Sequence, residues 1–182
     1  GNQLRLWSQD TFGNDLIFCV RGGGIYYWDE SVGTGTRGIA LADKLGAVSP
    51  PTLALQVMVS DTDRHTICFG SNPIGSVILD PLFVRWSDQE SPFDWTPTST
   101  NTSGGVTLTA GSYIIGAIKT RQEILIFTNN SIHSMRFSGA PFTYEFDVVN
   151  EGLSMVSPNA ATNAGDMVFF MDRGGFYFYN GS

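Results

Sequence analysis

Positive charge is scarce in this sequence. Ten lysines and arginines face seventeen acidic residues among 182, for a net charge of −7. Such a chain has no basic footprint for gripping phosphates, which argues against specific nucleic-acid binding; an acidic wall that DNA passes without adhering stays open. Charged residues of both signs make up only 15% against 42% hydrophobic, so enough apolar surface is present to offset the entropy of ordering, and disorder is excluded. Only two cysteines occur, Cys19 and Cys68, each inside an apolar, strand-like run. Neither belongs to a CxxC pair, so structural zinc has no support; buried free thiols are expected, with a disulfide only if their strands are neighbours. The two histidines, His65 and His133, lack a carboxylate or cysteine at ligand spacing, and no metal site is expected. No apolar run approaches the ~20 residues of a membrane-spanning helix. No G-x-S-x-G elbow occurs, and 22-GGG-24 leads into a strand, where a phosphate cradle would need a helix. No cofactor is implied. Helical periodicity is also missing; 38-GIALADKLGA-47 is the best candidate for a turn or two.

Aromatics and glycines are plentiful, with 13% aromatic residues and 21 glycines. They fall into a repeated phrase. The end of the chain, 166-DMVFFMDRGGFYFYNG-181, resembles its beginning, 15-DLIFCVRGGGIYYWDE-30. Anchors at Asp15, His65, Glu123 and Asp166 each precede an apolar run: 16-LIFCV-20, 66-TICFG-70, 124-ILIFT-128 and 167-MVFFM-171. A turn and a second strand follow, at 25-IYYW-28, 82-LFVRW-86, 132-IHSMRF-137 and 176-FYFY-179. Gly and Asn in the turns accept the positive φ of a tight hairpin. Further strands are expected at 53-LALQVMVS-60, 113-YIIGAIKT-120 and 153-LSMVSPNAAT-162, and at 143-TYEFDVV-149, where Tyr144, Phe146 and Val148 alternate. About four repeats of three to four antiparallel strands, at a period of roughly 40–50 residues, predict an all-β fold: a β-propeller or part of one. A β-sandwich is the alternative. Residues 1–182 read as one such domain. The opening GNQLRLW lacks an initiator Met and the end follows directly on a strand, as in a portion of a longer chain. Phe170 is expected in the core.

The densest cluster of candidate contact residues is 83-FVRWSDQESPFDWTP-97. Trp86 and Trp95 flank an acidic, proline-containing turn with Asp88 and Glu90. An exposed loop of this composition suits subunit contacts, or a glycan gripped by indole faces and carboxylates; alternatively the tryptophans pack an edge and Pro92 and Pro97 fix the turn. The run 60-SDTD-63 lacks the spacing of a calcium loop and reads as a turn. The stretch 8-SQDTFGNDL-16 approaches the Asp-box of sialidase-type propellers through Ser8, Asp10 and Gly13 but ends in Leu16. Few arginines are present for a sialidase site, so no catalytic residues are assigned and the chain is not expected to be an enzyme.

Four phrases, 4-LRLWSQDTFGNDLIFCVRGGGIYYWD-29, 57-VMVSDTDRHTICFG-70, 83-FVRWSDQESPFDWTPTSTNT-102 and 117-AIKTRQEILIFTNNSIHSMRF-137, together resemble the tail nozzle proteins of short-tailed bacteriophages, also called tail tubular protein B or DNA-stabilisation proteins. The resemblance spans most of the chain and contains no catalytic motif. It implies a structural virion component of the tail, built on a β-propeller and assembled with other copies into a six-fold ring. It further implies neighbouring adaptor and fibre proteins, DNA passing through the channel without specific binding, and no membrane. Members of that family are much longer, so this chain would be one portion. The alternative is a carbohydrate-binding β-propeller serving as a host-surface adhesin.

Overall fold

The computed structural model describes residues 5–165 and 167–181. Among them the chain is all-β: fifteen strands form four antiparallel sheets, and the only helical pieces are two short 3-10 turns. Each sheet is a meander whose strands pair in chain order, the arrangement short turns between neighbours produce. The chain divides into two compact units, Gly1–Thr107 and Leu108–Ser182. The anchor position Asp166 lies outside the described residues.

The first unit holds two sheets. One comprises β1 (Trp7–Phe12), β2 (Asp15–Val20), β3 (Ile25–Trp28) and β4 (Ile39–Ala40). The other comprises β5 (Ala54–Val59), β6 (Thr66–Ser71), β7 (Phe83–Trp86) and β8 (Gly104–Thr107). Phe12 pairs with Asp15 across Gly13-Asn14, a two-residue loop with Gly13 at φ +65°, so 8–16 forms a hairpin. The sheets meet through Ile17 and Cys19 of β2, Ile25 and Tyr27 of β3, and Val57, Val59 and Cys68 of the second sheet, with Leu41 and Trp95. Polar ties register them. Ser8 Oγ accepts from the Val57 amide and Asp10 Oδ2 from the Val59 amide, each at 2.9 Å. Side chains of β1 thus occupy the edge of β5 that no neighbouring strand pairs.

The second unit holds β9 (Ile114–Lys119), β10 (Ile124–Thr128), β11 (Ser131–Gly139) and β12 (Thr143–Glu151), then a three-stranded sheet of β13 (Ala161–Ala164), β14 (Met167–Asp172) and β15 (Gly175–Tyr179). Leu125, Phe127 and Ile132 of its first sheet pack on Val168 and Phe170 of its second, closed by Met155. Phe170 is buried, with its ring centroid 5.1 Å from Phe127 and 5.7 Å from Tyr177.

The readings of three stretches are met unevenly. The best helix candidate, 38–47, holds β4 and then a single 3-10 turn at Leu41–Asp43; Ala40 offers no side-chain cap, and burial of Leu41 holds the segment. The strand expected over 153–162 is confined to its end at Ala161, because Gly152 takes φ +99° and Pro158 lacks a donor. The strand expected over 143–149 is present as β12, although burial does not follow its apolar alternation: Tyr144 is buried, Phe146 half-buried and Val148 exposed.

Candidate functional site: the loop between β7 and β8

Residues 87–103 connect β7 to β8 in the first unit, longer than most connections in compact domains. Both ends of this loop are pinned. Ser91 Oγ accepts from the amides of Phe93 and Asp94, local bonds that close a turn around Pro92. The Trp95 indole donates to the Pro92 carbonyl at 2.9 Å. Backbone bonds join Val48 to Phe93 and Trp95. Arg85, itself buried, donates to the Trp95 carbonyl at 3.1 Å and to the Ser49 carbonyl, with its guanidinium 5.8 Å from the Trp95 ring. Burial pushes the Arg85 pKa down to about 10; two carbonyls and an indole face replace part of the water it has lost, and its Nε has no hydrogen-bond partner.

Below the loop runs a chain of buried polar groups. His65 Nδ1 lies 2.6 Å from Asp63 Oδ2, and His65 Nε2 lies 2.9 Å from Thr102 Oγ1. Thr102 Oγ1 donates to Asp88 Oδ1 at 2.8 Å and accepts from the Gln89 amide. The Thr102 amide also donates to Asp88 Oδ1. Burial raises the Asp88 pKa, but these hydrogen bonds and the nearby His65 outweigh it, leaving the carboxyl below its ordinary value. An acid, a histidine and a hydroxyl in line have the outline of a nucleophile relay. Here the hydroxyl proton is committed to Asp88, so Thr102 is a tie in the scaffold.

The structure therefore divides the four predicted contact residues. Trp86 and Trp95 are buried, at 5% and 0% exposure, and the Trp86 indole donates to the Thr102 carbonyl. Of the two readings of the tryptophans, exposed indoles are corrected and packed ones are found: both rings form the floor of the loop, and neither face can stack on a sugar or a partner. Asp88 is half-buried and acts as the hub. Glu90 alone is exposed; it sits at φ +59° and pairs with Arg64 at 2.6 Å. Arg64 in turn lies over the Phe12 ring at 4.8 Å.

Sequence reasoning passed over Thr102 and Arg85, and placed Asp63 in a turn and His65 before a strand without joining them. The i, i+2 spacing of Asp63 and His65 was the available signal; Thr102 is distant in sequence and carries none. The Asp63 carboxylate turns inward to His65, in keeping with a turn at 60–63. Among the described residues no group of three His, Cys, Asp or Glu side chains is placed to hold a metal. Cys19 and Cys68 are buried free thiols, each pushed above its usual pKa by burial. His133 is buried between Ser131 Oγ and the Ala110 carbonyl, and burial holds its pKa below the usual value.

The described anchors share one role. Asp15 accepts the Tyr27 hydroxyl at 2.5 Å and the Glu30 amide; His65 meets the Thr102 hydroxyl; Glu123 accepts the hydroxyls of Tyr179, at 2.6 Å, and Ser134. Burial and the Glu123 bond push the Tyr179 pKa up to about 12. Each anchor ties the start of a central strand to another segment. No protein-family model matches the chain, and no curated protein matches it either.

Proposed function

We propose that the chain is a structural β-propeller portion of the tail nozzle of a short-tailed bacteriophage, forming with other copies part of a ring through which DNA leaves the particle. The observation that carries this is the pair of meander sheets packed on each other within each unit, with β1 side chains satisfying β5 amides in the first. Stacked meanders are what propeller blades require, and the tail-nozzle resemblance adds the assembly. A structural role also accords with the polar groups, which tie strands and loops together. In this role the exposed rim of the 87–103 loop, with Glu90 and Arg64, faces neighbouring tail proteins over a rigid floor. The burial of Trp86 and Trp95 removes the indole platform on which a glycan-binding adhesin would rest.

An antibody against the chain, followed through a density gradient of lysate from its source, tests the proposal. The signal is expected to travel with intact, DNA-filled particles. A signal confined to the soluble top fractions would rule out a virion role.

A further inference from the structure

The polar contacts beneath the 87–103 loop each need a proton, and their geometry fixes where the protons sit. Asp88 is ionised at neutral pH, its carboxyl lying below the ordinary value. The 2.8 Å contact between Thr102 Oγ1 and Asp88 Oδ1 therefore holds the hydroxyl proton, since without it an oxygen lone pair would face a carboxylate. A threonine hydroxyl has a single proton to give. Thr102 Oγ1 is left as an acceptor toward both the Gln89 amide and His65 Nε2, each at 2.9 Å, so Nε2 carries a hydrogen. On the other side of the ring, His65 Nδ1 lies 2.6 Å from Asp63 Oδ2, while Asp63 Oδ1 accepts the Thr62 hydroxyl at 3.0 Å. A bare Nδ1 at that distance would set its lone pair against a carboxylate, in a place where His65 is 0% and Asp63 3% exposed. Both ring nitrogens therefore donate, and only the imidazolium donates from both.

We infer that His65 is held as a buried imidazolium between Asp63 and Thr102, and that its proton is a pH-sensitive latch on the 87–103 loop. The inference does not depend on the tail-nozzle role. The charges around the ring favour the proton. Asp63 on its own turn and Asp88 on the loop are carboxylates bonded to it directly or through Thr102. The other charged groups nearby have partners or face outward: Asp61 is exposed on the same turn, Arg64 pairs with Glu90, Arg85 of β7 turns to the Trp95 and Ser49 carbonyls, Asp94 accepts from Asn101, and Asp10 of β1 accepts the Val59 amide. Loss of the proton leaves Nδ1 and the Asp63 carboxylate opposed inside the fold, an opposition relieved by withdrawing the ring. Withdrawal removes the bond from Nε2 to Thr102, the residue that closes the loop on Asp88. The unfolded chain gives up the same proton near the ordinary imidazole value of about 6.5. The latch is therefore fully engaged below that pH, and its contribution is lost as pH rises through the folded value.

The nitrogen chemical shifts of the two imidazoles in the isotope-labelled chain test this without any variant. At about pH 7.5, where a free imidazole is mostly neutral, both His65 nitrogens are expected at imidazolium positions. His133, held below its usual value by burial, is expected to read neutral in the same spectrum. Amide exchange reports the latch. Protection of the Gln89 and Thr102 amides, corrected for the intrinsic rise of exchange with pH, is expected to fall by up to about tenfold per pH unit once the proton leaves, the slope that one proton gives. Asp63→Asn lets a side-chain amide donate to a neutral Nδ1, so in that variant the loop is expected to stay closed and the fall to vanish. A neutral His65 at about pH 7.5 overturns the inference. So does corrected protection that stays level between about pH 6 and pH 10, or a fall in Asp63→Asn as steep as in the parent chain.

Discussion

Asp88 shows at the scale of one residue how this protein uses polar groups. Its Oδ1 collects two donors from Thr102 and one from the Gln89 amide, closing the 87–103 loop on its own beginning. Because the folded pKa lies below the unfolded one, the charged form stabilises the fold above the ordinary carboxylate value of about 3.9. That contribution is lost as pH falls through the lower, folded value. Asp88→Asn is expected to cost about 1–2 kcal/mol at pH 7, the group being half-exposed. The gap from the parent chain should narrow in urea unfolding carried below about pH 4; a gap independent of pH would show that the charge contributes nothing. Thr102→Val removes both the link to His65 Nε2 and the proton given to Asp88. It is expected to cost about 1–3 kcal/mol, with Thr102→Ser retaining most of the stability; a near-neutral Thr102→Val beside a destabilised Thr102→Ser would mean the methyl group, not the hydroxyl, holds the loop.

At the scale of the element, most strands were legible because their residues alternate or run apolar between glycine and proline punctuation. The four apolar runs became β2, β6, β10 and β14, and the second strands became β3, β7, β11 and β15. Three strands were not legible, among them the two-residue β4, which is too short to show a period. β1, Trp-Ser-Gln-Asp-Thr-Phe, is mostly polar, and it is a strand because β2 pairs with it and β5 amides need Ser8 and Asp10. β8, Gly-Gly-Val-Thr, has too few side chains to show a pattern; a Cβ at Gly104 would meet Trp86 at 2.7 Å, so the glycine admits the indole beneath it. The candidate loop was legible as a location but not as a surface. Nothing local in the sequence reveals that Trp95 packs beside Arg85 and pairs with Val48, since those contacts come from remote segments. The core position of Phe170 was legible, from its place in 167-MVFFM-171. Phe170→Ala is expected to cost about 3–5 kcal/mol through loss of its ring contacts and the cavity left behind. Leu45→Ala, at a residue 94% exposed, should stay within about 0.5 kcal/mol. Denaturant unfolding of both variants checks the pair, and a near-neutral Phe170→Ala would mean the stack with Phe127 and Tyr177 is not formed.

At the scale of the whole molecule, charge is the property that bears on DNA. The net charge of −7 and pI near 4.6 oppose any phosphate backbone, because association would bring like charges together and release no condensed counterions. Local exceptions are small. Arg64 and Arg136 are paired with Glu90 and Asp147 at 2.6 Å, and Lys44 with Asp29 at 2.8 Å, so three of the ten basic side chains are already met by carboxylates. A wall past which DNA slides needs this: a grip strong enough to specify sequence would also hold the strand in place. The chain is therefore expected to give no measurable change in the fluorescence anisotropy of labelled duplex DNA at physiological salt, up to the highest soluble protein concentration. Lowering the salt should not rescue binding, since weaker screening strengthens repulsion as readily as attraction. Tight binding that weakens steeply as salt rises would reveal a cationic surface at odds with a passive channel, and it would set this chain among proteins that hold nucleic acid instead of letting it pass.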